Sequence, residues 1–210
     1  MSSAPPQQCL VALDVEGVLT PEIWIAVADE FGIEGLKRTT KDEPNYQFLM
    51  DSRIQLINSN GIALQDIQSV IASLSPLEGA SDFLDELRSR VSVVLLSDTF
   101  EEFIHPLMDQ LGNPLILCHR LIVDPNGVIT GFVERIPNQK FYAVRSFQEL
   151  NYRVLAAGDS YNDLSMIDQA DAGLLFRAPD HVRAERSDLV CHDDYSDLLN
   201  SIQSFIESSN

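Results

Sequence analysis

Leu10-Val11-Ala12-Leu13-Asp14-Val15-Glu16-Gly17 is an apolar run that ends on carboxylates. No polar residue alternates among Val11 to Leu13, the pattern of a strand buried on both faces. Such a strand delivers Asp14 and Glu16 to its C-terminal edge, and Gly17 frees the loop that follows. Open α/β sheets build their sites at that edge. The arrangement recurs in Val154-Leu155-Ala156-Ala157-Gly158-Asp159-Ser160-Tyr161-Asn162-Asp163. Two buried strands that end in acids can bring carboxylates together, and carboxylates held together need a cation or a proton.

Outward from these two stretches, further strands are expected at 91–96, 115–118 and 172–176, most of them between helical patterns. Phe83, Leu84 and Leu87 mark one helix; Phe103, Leu107, Met108 and Leu111 a second; Phe141, Val144, Phe147 and Leu150 a third. Leu198, Leu199, Ile202, Phe205 and Ile206 mark a C-terminal one, whose N-terminus Asp193, Asp194 and Asp197 favour electrostatically. The alternation predicts an α/β fold, a Rossmann-like, doubly wound, mostly parallel sheet. Pro125-Asn126-Gly127 lies between two apolar runs and predicts a β-hairpin beside the sheet. The rhythm breaks from Pro21 to Leu77, where helical patterns at 23–31, 46–58 and 64–74 have no strand between them. That stretch reads as a small helical cap inserted after the first strand. The expected division is a core domain over 9–20 and 78–210, a cap domain over 21–77 and a loose N-terminal tail over 1–8.

The 210 residues, 45% of them hydrophobic, suffice for one sizeable core and a small second lobe. A net charge of -18 speaks against nucleic acid, whose affinity comes from Lys and Arg on phosphates, and against an anionic membrane surface. No apolar run reaches membrane-spanning length, and the N-terminus has no export pattern. The three cysteines, Cys9, Cys118 and Cys191, are sparse and fit buried thiols in a reducing cytoplasm. Cys118-His119 and Cys191-His192 lack the spacing of a zinc site. His105 and His181 carry no motif and read as surface or capping residues.

Ser97-Asp98-Thr99 and Lys140 join the two acidic stretches as chemistry-bearing residues. A carboxylate can accept a phosphoryl group as an acyl phosphate, and a hydroxyl and an ammonium can hold its oxygens. Mg²⁺ suits hard oxygen ligands of this kind. Each residue alone has a plainer reading. Asp14, Asp159 and Asp163 could be caps, Ser97 structural, Lys140 solvated, and Asp98-Thr99 the cap of the next helix or its N–H donors to phosphate.

The phrases Leu13-Asp-Val-Glu-Gly-Val-Leu-Thr-Pro-Glu-Ile-Trp24, Pro76-Leu-Glu-Gly-Ala80, Leu96-Ser-Asp-Thr-Phe100 and Ala156-Ala-Gly-Asp-Ser-Tyr-Asn-Asp163 occur in one order. Together they resemble the haloacid-dehalogenase-like hydrolases, within them the phosphoserine phosphatase group, and there the bifunctional phosphoserine phosphatase/phosphoserine–homoserine phosphotransferases. The similarity runs over nearly the whole chain after the first eight residues. It implies Asp14 as nucleophile and Mg²⁺ ligand, and Glu16 as general acid/base with its carbonyl on the metal. It implies Asp159 as a further ligand, with Asp163 supporting it or Lys140 and Gly158 supporting the site. Ser97 and Lys140 would bind the phosphoryl group, and Asp98 and Asn162 would touch substrate. It implies phosphoserine as substrate, homoserine as a second acceptor, serine or threonine biosynthesis as the setting, and a homodimer as a possible assembly. One departure stands out. The broader family usually carries Asp two residues after the nucleophile; here, as in the phosphotransferase group, it is Glu16, longer by a methylene.

The helix expected at 46–58 adds an observation of its own. Arg53 falls among Leu49, Met50, Leu56 and Ile57 on one face. A guanidinium in an apolar stripe needs an anion, since burying it unpaired is costly. A structural ion pair with Glu22 is one answer; a substrate carboxylate held bidentately is the other. The resemblance implies the second, with Glu22 on the α-ammonium of the substrate. Trp24 reads as a cap-core aromatic.

Two rivals come from other classes. A phospho-accepting receiver-like signalling module also uses a strand-end Asp, an acidic pair, a hydroxyl and a lysine. It is shorter, has no helical insertion after its first strand, and places the accepting Asp after the acidic pair. A catalytically silent binder on the same scaffold is the other.

Overall fold

A computed structural model of the chain describes residues 7–208 except 40, 41 and 44. Most of the tail expected over 1–8 therefore lies outside the described residues, and Gln8 already opens the first strand. Strands β1 (Gln8–Leu13), β2 (Ser92–Phe100), β3 (Ile116–Val123), β4 (Ile129–Val133), β5 (Tyr152–Gly158), β6 (Ala172–Phe176) and β7 (Val190–His192) form one sheet. Their order is β4-β3-β2-β1-β5-β6-β7, and every neighbouring pair is parallel except β3 with β4. The chain runs outward from β1 to one side and then crosses to β5 on the other. That reversal opens a crevice beyond the C-terminal ends of β1, β2 and β5.

Both faces of β1 are covered, which is why its sequence shows no polar alternation. Val11 and Leu13 pack with Leu95, Leu155 and Ala157 into one apolar cluster, while Leu10 and Ala12 join Val94, Leu96, Val154 and Ala156 in the other. Helices α4 (Ala80–Arg90), α5 (Glu101–Gln110) and α9 (Tyr195–Glu207) supply Leu84, Phe103 and Ile202 to the first cluster. Helices α6 (Gln139–Glu149), α7 (Leu164–Gln169) and α8 (Asp180–Glu185) supply Val144, Met166 and Val182 to the second. Asp194 is the N-cap of α9 and Asp197 lies in its first turn, whereas Asp193 pairs with Arg183.

Between β1 and β2 the chain forms helices only: α1 (Ile23–Phe31), a 3₁₀ turn at Glu34–Lys37, α2 (Tyr46–Ser59) and α3 (Leu64–Ser73). These helices bury their apolar stripes against one another and against the core cluster. Polar groups pin them to the β3–β4 hairpin and α5. Asn58 Nδ2 donates to the Ile129 carbonyl, the Leu64 N–H to Gly127, and Gln68 Nε2 to Glu102, each at 2.9 Å. Trp24 lies edge-on to Phe103 at 5.6 Å, so it ties the inserted helices to α5 as well as filling their interior.

Two differences from the sequence reading have physical causes. β2 continues to Phe100 instead of stopping at Leu96, because it resumes pairing after a bulge. Leu96 pairs with Leu117 and Phe100 with His119, so the intervening residues of β2 have too few partners on β3. A bulge beside a site re-aims side chains, and this one turns out Ser97, Asp98 and Thr99. β7 has only three residues and no apolar run, so periodicity does not mark it. No helix of the described residues is long and apolar enough to cross a membrane.

Candidate active site

The β1–β5 register puts the two acidic stretches side by side. Leu13 pairs with Ala157, and the Asp14 N–H donates to the Ala157 carbonyl at 3.0 Å. The loop after β1 folds back through Gly17, whose N–H reaches the Thr20 carbonyl at 2.8 Å. Gly17 has φ +78°, and a Cβ there would stand 2.6 Å from Asp159 Oδ2. Only glycine meets both demands. At Gly158 a Cβ would lie 2.4 Å from the Cβ of Asp163. That close approach lets the Asp163 carboxylate turn back and accept the N–H groups of Asp159 and Ser160, both at 3.0 Å.

Lys140, from the first turn of α6, closes the cluster. Its Nζ lies 2.8 Å from Asp14 Oδ1, 2.7 Å from Asp163 Oδ1 and 3.4 Å from Asp98 Oδ2. It is 2% exposed, so the solvated reading fails. Burial alone would depress its pKa, but Asp14, Asp163 and Asp98 outweigh burial and hold it high. Asp98 accepts a hydrogen bond from Asn162 Nδ2 at 2.9 Å. Lys140 and Asn162 hold Asp98 below the usual carboxylate range despite its burial. Its side chain thus serves the lysine rather than capping α5. Ser97 is buried, and its Oγ accepts the Thr99 N–H at 3.2 Å.

Asp14, Asp159 and Asp163 each offer a carboxylate oxygen, all within 4.8 Å of one another, as a candidate metal centre. Burial, followed by the Asp163 charge, raises the pKa of Asp14 and lifts that of Asp159 to about 7. One ammonium does not balance three carboxylates that crowded, and hard oxygens suit a hard divalent cation. Both Asp163 oxygens are committed, Oδ1 to Lys140 and Oδ2 to backbone N–H groups. Asp14 and Asp159 are the freer ligands. The Glu16 carboxyl lies apart from this set and within hydrogen-bonding reach of Glu22. Burial first and Glu22 second push its pKa well up.

Arg53 enters from α2. It is 8% exposed, and its guanidinium lies 4.9 Å from the Trp24 ring centroid. Nη2 donates to the Arg38 carbonyl at 2.6 Å, and buried Nε has no partner. No carboxylate of the described residues comes within 4.0 Å of it, so the ion pair with Glu22 does not form. Burial lowers its pKa to about 10, against the opposing pull of Glu16 and Glu22.

One cavity of about 360 Å³ gathers these groups. Asp14, Glu16, Glu22, Arg53, Ser97, Asp98, Lys140, Asp159 and Asn162 all line it; Gly158 and Asp163 lie behind its wall and shape it. Tyr46, Thr39, Tyr161 and His181 line it too, which the sequence did not signal. His181, expected as a surface or capping residue, stands on α8 and lines the cavity. Tyr46 carries a cue only in hindsight: it opens α2 just after the Asn45 cap, and its hydroxyl donates to the Asp98 carbonyl at 2.8 Å.

The haloacid dehalogenase-like hydrolase family matches residues 10–171. A phosphoserine phosphatase of Pseudomonas syringae pv. tomato is 49% identical over 201 residues, which cover 96% of this chain and 84% of that one. Phosphoserine phosphatase ThrH of Pseudomonas aeruginosa is 50% identical over 189 residues, 90% of this chain and 92% of its own. A solved phospho-aspartyl intermediate analogue of phosphoserine phosphatase has the same fold, with TM-score 0.77 at 20% identity over 93% of this chain and 99% of that one. A substrate-bound phosphoserine phosphatase complex gives 0.78 at 21% identity, over 93% and 98%. The helical insertion after β1 and the acid order already separate this chain from receiver modules. With a family match that spans most of its length and relatives at half identity, the chain belongs to the haloacid dehalogenase-like hydrolases.

Proposed function

We propose that this chain is a Mg²⁺-dependent phosphoserine phosphatase that works through an aspartyl phosphate on Asp14. The observation that carries this reading is the polarity of one cavity. Its core side holds Asp14 beside Lys140, and its cap side holds a buried arginine with an unpartnered Nε. Such a cavity suits a ligand with a phosphate at one end and a carboxylate at the other. Two relatives at half identity that carry the name phosphoserine phosphatase support the same substrate. The 21–77 segment acts as a cap domain over a core of 9–20 and 78–210.

Asp14 attacks phosphorus in line with the ester bond, and the serine oxygen leaves with the proton of Glu16. The raised pKa of Glu16 favours its protonated form. Glu16 then takes a proton from water as the water attacks the aspartyl phosphate. Lys140 and Ser97 hold the phosphoryl oxygens, with Asp98 and Asn162 fixing the lysine's place. Glu22 takes the α-ammonium and Arg53 the α-carboxylate. Asp14, Asp159 and the Glu16 carbonyl would hold Mg²⁺, with Asp163 ordering the loop behind them. When bound, Mg²⁺ supplies positive charge that the five carboxyl groups and two cations lining the cavity lack.

Purified protein with phosphoserine and Mg²⁺ should release phosphate over many turnovers; none released would end this reading. Added homoserine should divert part of the phosphate to phosphohomoserine. This acceptor reading rests on Glu16, whose extra methylene moves the carboxyl by about a bond length, a shift that matters where ~1 Å can cost about a hundredfold. Glu16→Asp should therefore change the ratio of transfer to hydrolysis, measured as phosphohomoserine against free phosphate. An unchanged ratio would count against it.

Arg53→Lys tests the carboxylate site. Loss of the planar fork should lower kcat/KM for phosphoserine by about 10- to 100-fold, and far less for a phosphate ester without a carboxylate. Equal losses on both esters would refute the assignment.

Asp159 predicts a pH signature for the cation. An acid that holds its proton more tightly when folded contributes stability that is lost as pH rises through its folded pKa. With that value near 7, the metal-free protein should lose stability from about pH 4 to about pH 7. Protons and Mg²⁺ then compete, so Mg²⁺ should raise Tm more at about pH 8 than at about pH 5. A pH-independent shift would take Asp159 out of the site.

A further inference from the structure

His119 lies on β3, opposite the bulge that turns Asp98 into the site, and is 3% exposed. Its Nδ1 accepts the Arg135 backbone N–H at 3.3 Å. Burial depresses its pKa, so the ring is neutral near pH 7. A neutral imidazole that accepts at Nδ1 carries its proton on Nε2. Nε2 lies 3.6 Å from Asp98 Oδ1, while the other Asp98 oxygen takes Asn162 at 2.9 Å and faces Lys140 at 3.4 Å. The same imidazole packs edge-on against Tyr46 of the cap at 5.8 Å, and the Tyr46 hydroxyl donates to the Asp98 carbonyl.

We infer that His119 is a positioning residue for phosphoryl transfer, whose Nε2–H orients the Asp98 carboxylate so that Asp98 in turn holds Lys140 over Asp14. The inference rests on the phosphatase reading above and adds to it a residue that does not line the substrate cavity. A half-buried carboxylate with one oxygen given to Lys140 and Asn162 can still rotate about its Cβ–Cγ bond; a proton-bearing nitrogen 3.6 Å from the other oxygen, longer than a hydrogen bond but within electrostatic reach, biases that torsion. Because His119 also braces Tyr46, the seat of the cap and the orientation of the lysine share one side chain.

The test compares His119→Leu, His119→Gln and His119→Asn, with Asp98→Asn as a background. Wild-type phosphate release from phosphoserine is measured first, and its absence would defeat the functional reading rather than this one. His119→Leu should lower kcat about tenfold on phosphoserine and by the same factor on a phosphate ester lacking the carboxylate, since Lys140 serves both. Glutamine places an amide N–H where Nε2 was and should recover most of the loss; asparagine reaches only the Nδ1 position and should not. In the Asp98→Asn background, His119→Leu should cost nothing further. Wild-type turnover in His119→Leu overturns the inference, as does a full additional loss in the Asp98→Asn background. Should the leucine variant not fold, equal turnover of the glutamine and asparagine variants overturns it.

Discussion

Asp14→Asn is expected to stop phosphate release from phosphoserine with Mg²⁺, lowering turnover by roughly 10⁴-fold or more, the scale on which a lost nucleophile is felt. An amide in place of the carboxylate cannot form the acyl phosphate. The substitution is nearly isosteric, so the cavity keeps its shape. The fold should survive, because Lys140 retains Asp163 at 2.7 Å and Asp98 at 3.4 Å. Asp14 is buried beside Asp163 and Asp159, and burial together with those charges raises its pKa. Removing its charge relieves repulsion, so the metal-free variant should melt no lower than the wild type. Phosphate release and thermal melts on one preparation separate lost chemistry from lost structure. Turnover close to wild type would place the nucleophile elsewhere and take the aspartyl-phosphate mechanism with it.

That experiment addresses a residue legible at once from sequence, and others were not. Asp14 and Asp159 follow buried strands whose apolar runs leave few alternatives, and strand pairing then sets them together. The cap helices were legible because amphipathic stripes at 23–31, 46–58 and 64–74 lack any strand between them. Arg53 was legible as an anomaly, since a guanidinium has no reason to share a face with Met50 and Ile57 unless an anion comes to it. The pairing of Glu16 with Glu22 was hidden, because like charges give no sequence cue that they meet. His119 and Tyr46 were hidden for another reason. They reach Asp98 only through the β2 bulge, and a bulge depends on the register between two strands rather than on either strand's composition. Lys140 could be ranked by its place in the motif order, but its burial could not be foreseen. A lysine in the first turn of a helix looks solvated until three carboxylates are known to surround it.

Lys140→Met should be the most damaging change to stability. Lys140 occupies the first turn of α6, where a positive charge opposes the helix dipole, and burial disfavours its ammonium as well. Only the attraction of Asp14, Asp163 and Asp98 holds the charge there. Methionine fills similar volume but leaves those carboxylates facing one another without a counter-ion. Breaking a buried pair by removing one partner costs about 3–5 kcal/mol, a large share of a stability of about 5–15 kcal/mol. Proton uptake relieves the repulsion, and the pKa of Asp14, already raised by burial, should rise further. Stability carried by such protons is present at low pH and lost as pH rises through the raised values. The gap in Tm between variant and wild type should therefore be small at about pH 5 and wide at about pH 8. Added Mg²⁺ should narrow it, since a cation on the same acids replaces part of the missing charge. Turnover should not return with it, because the ammonium that steadies the transferring oxygens is gone, a loss of about 10²–10³-fold in kcat. A variant that melts like the wild type at about pH 8 would mean that Lys140 is not the counter-ion of the cluster. Full turnover with Mg²⁺ would remove it from phosphoryl binding, and with it the link through Asp98 to His119.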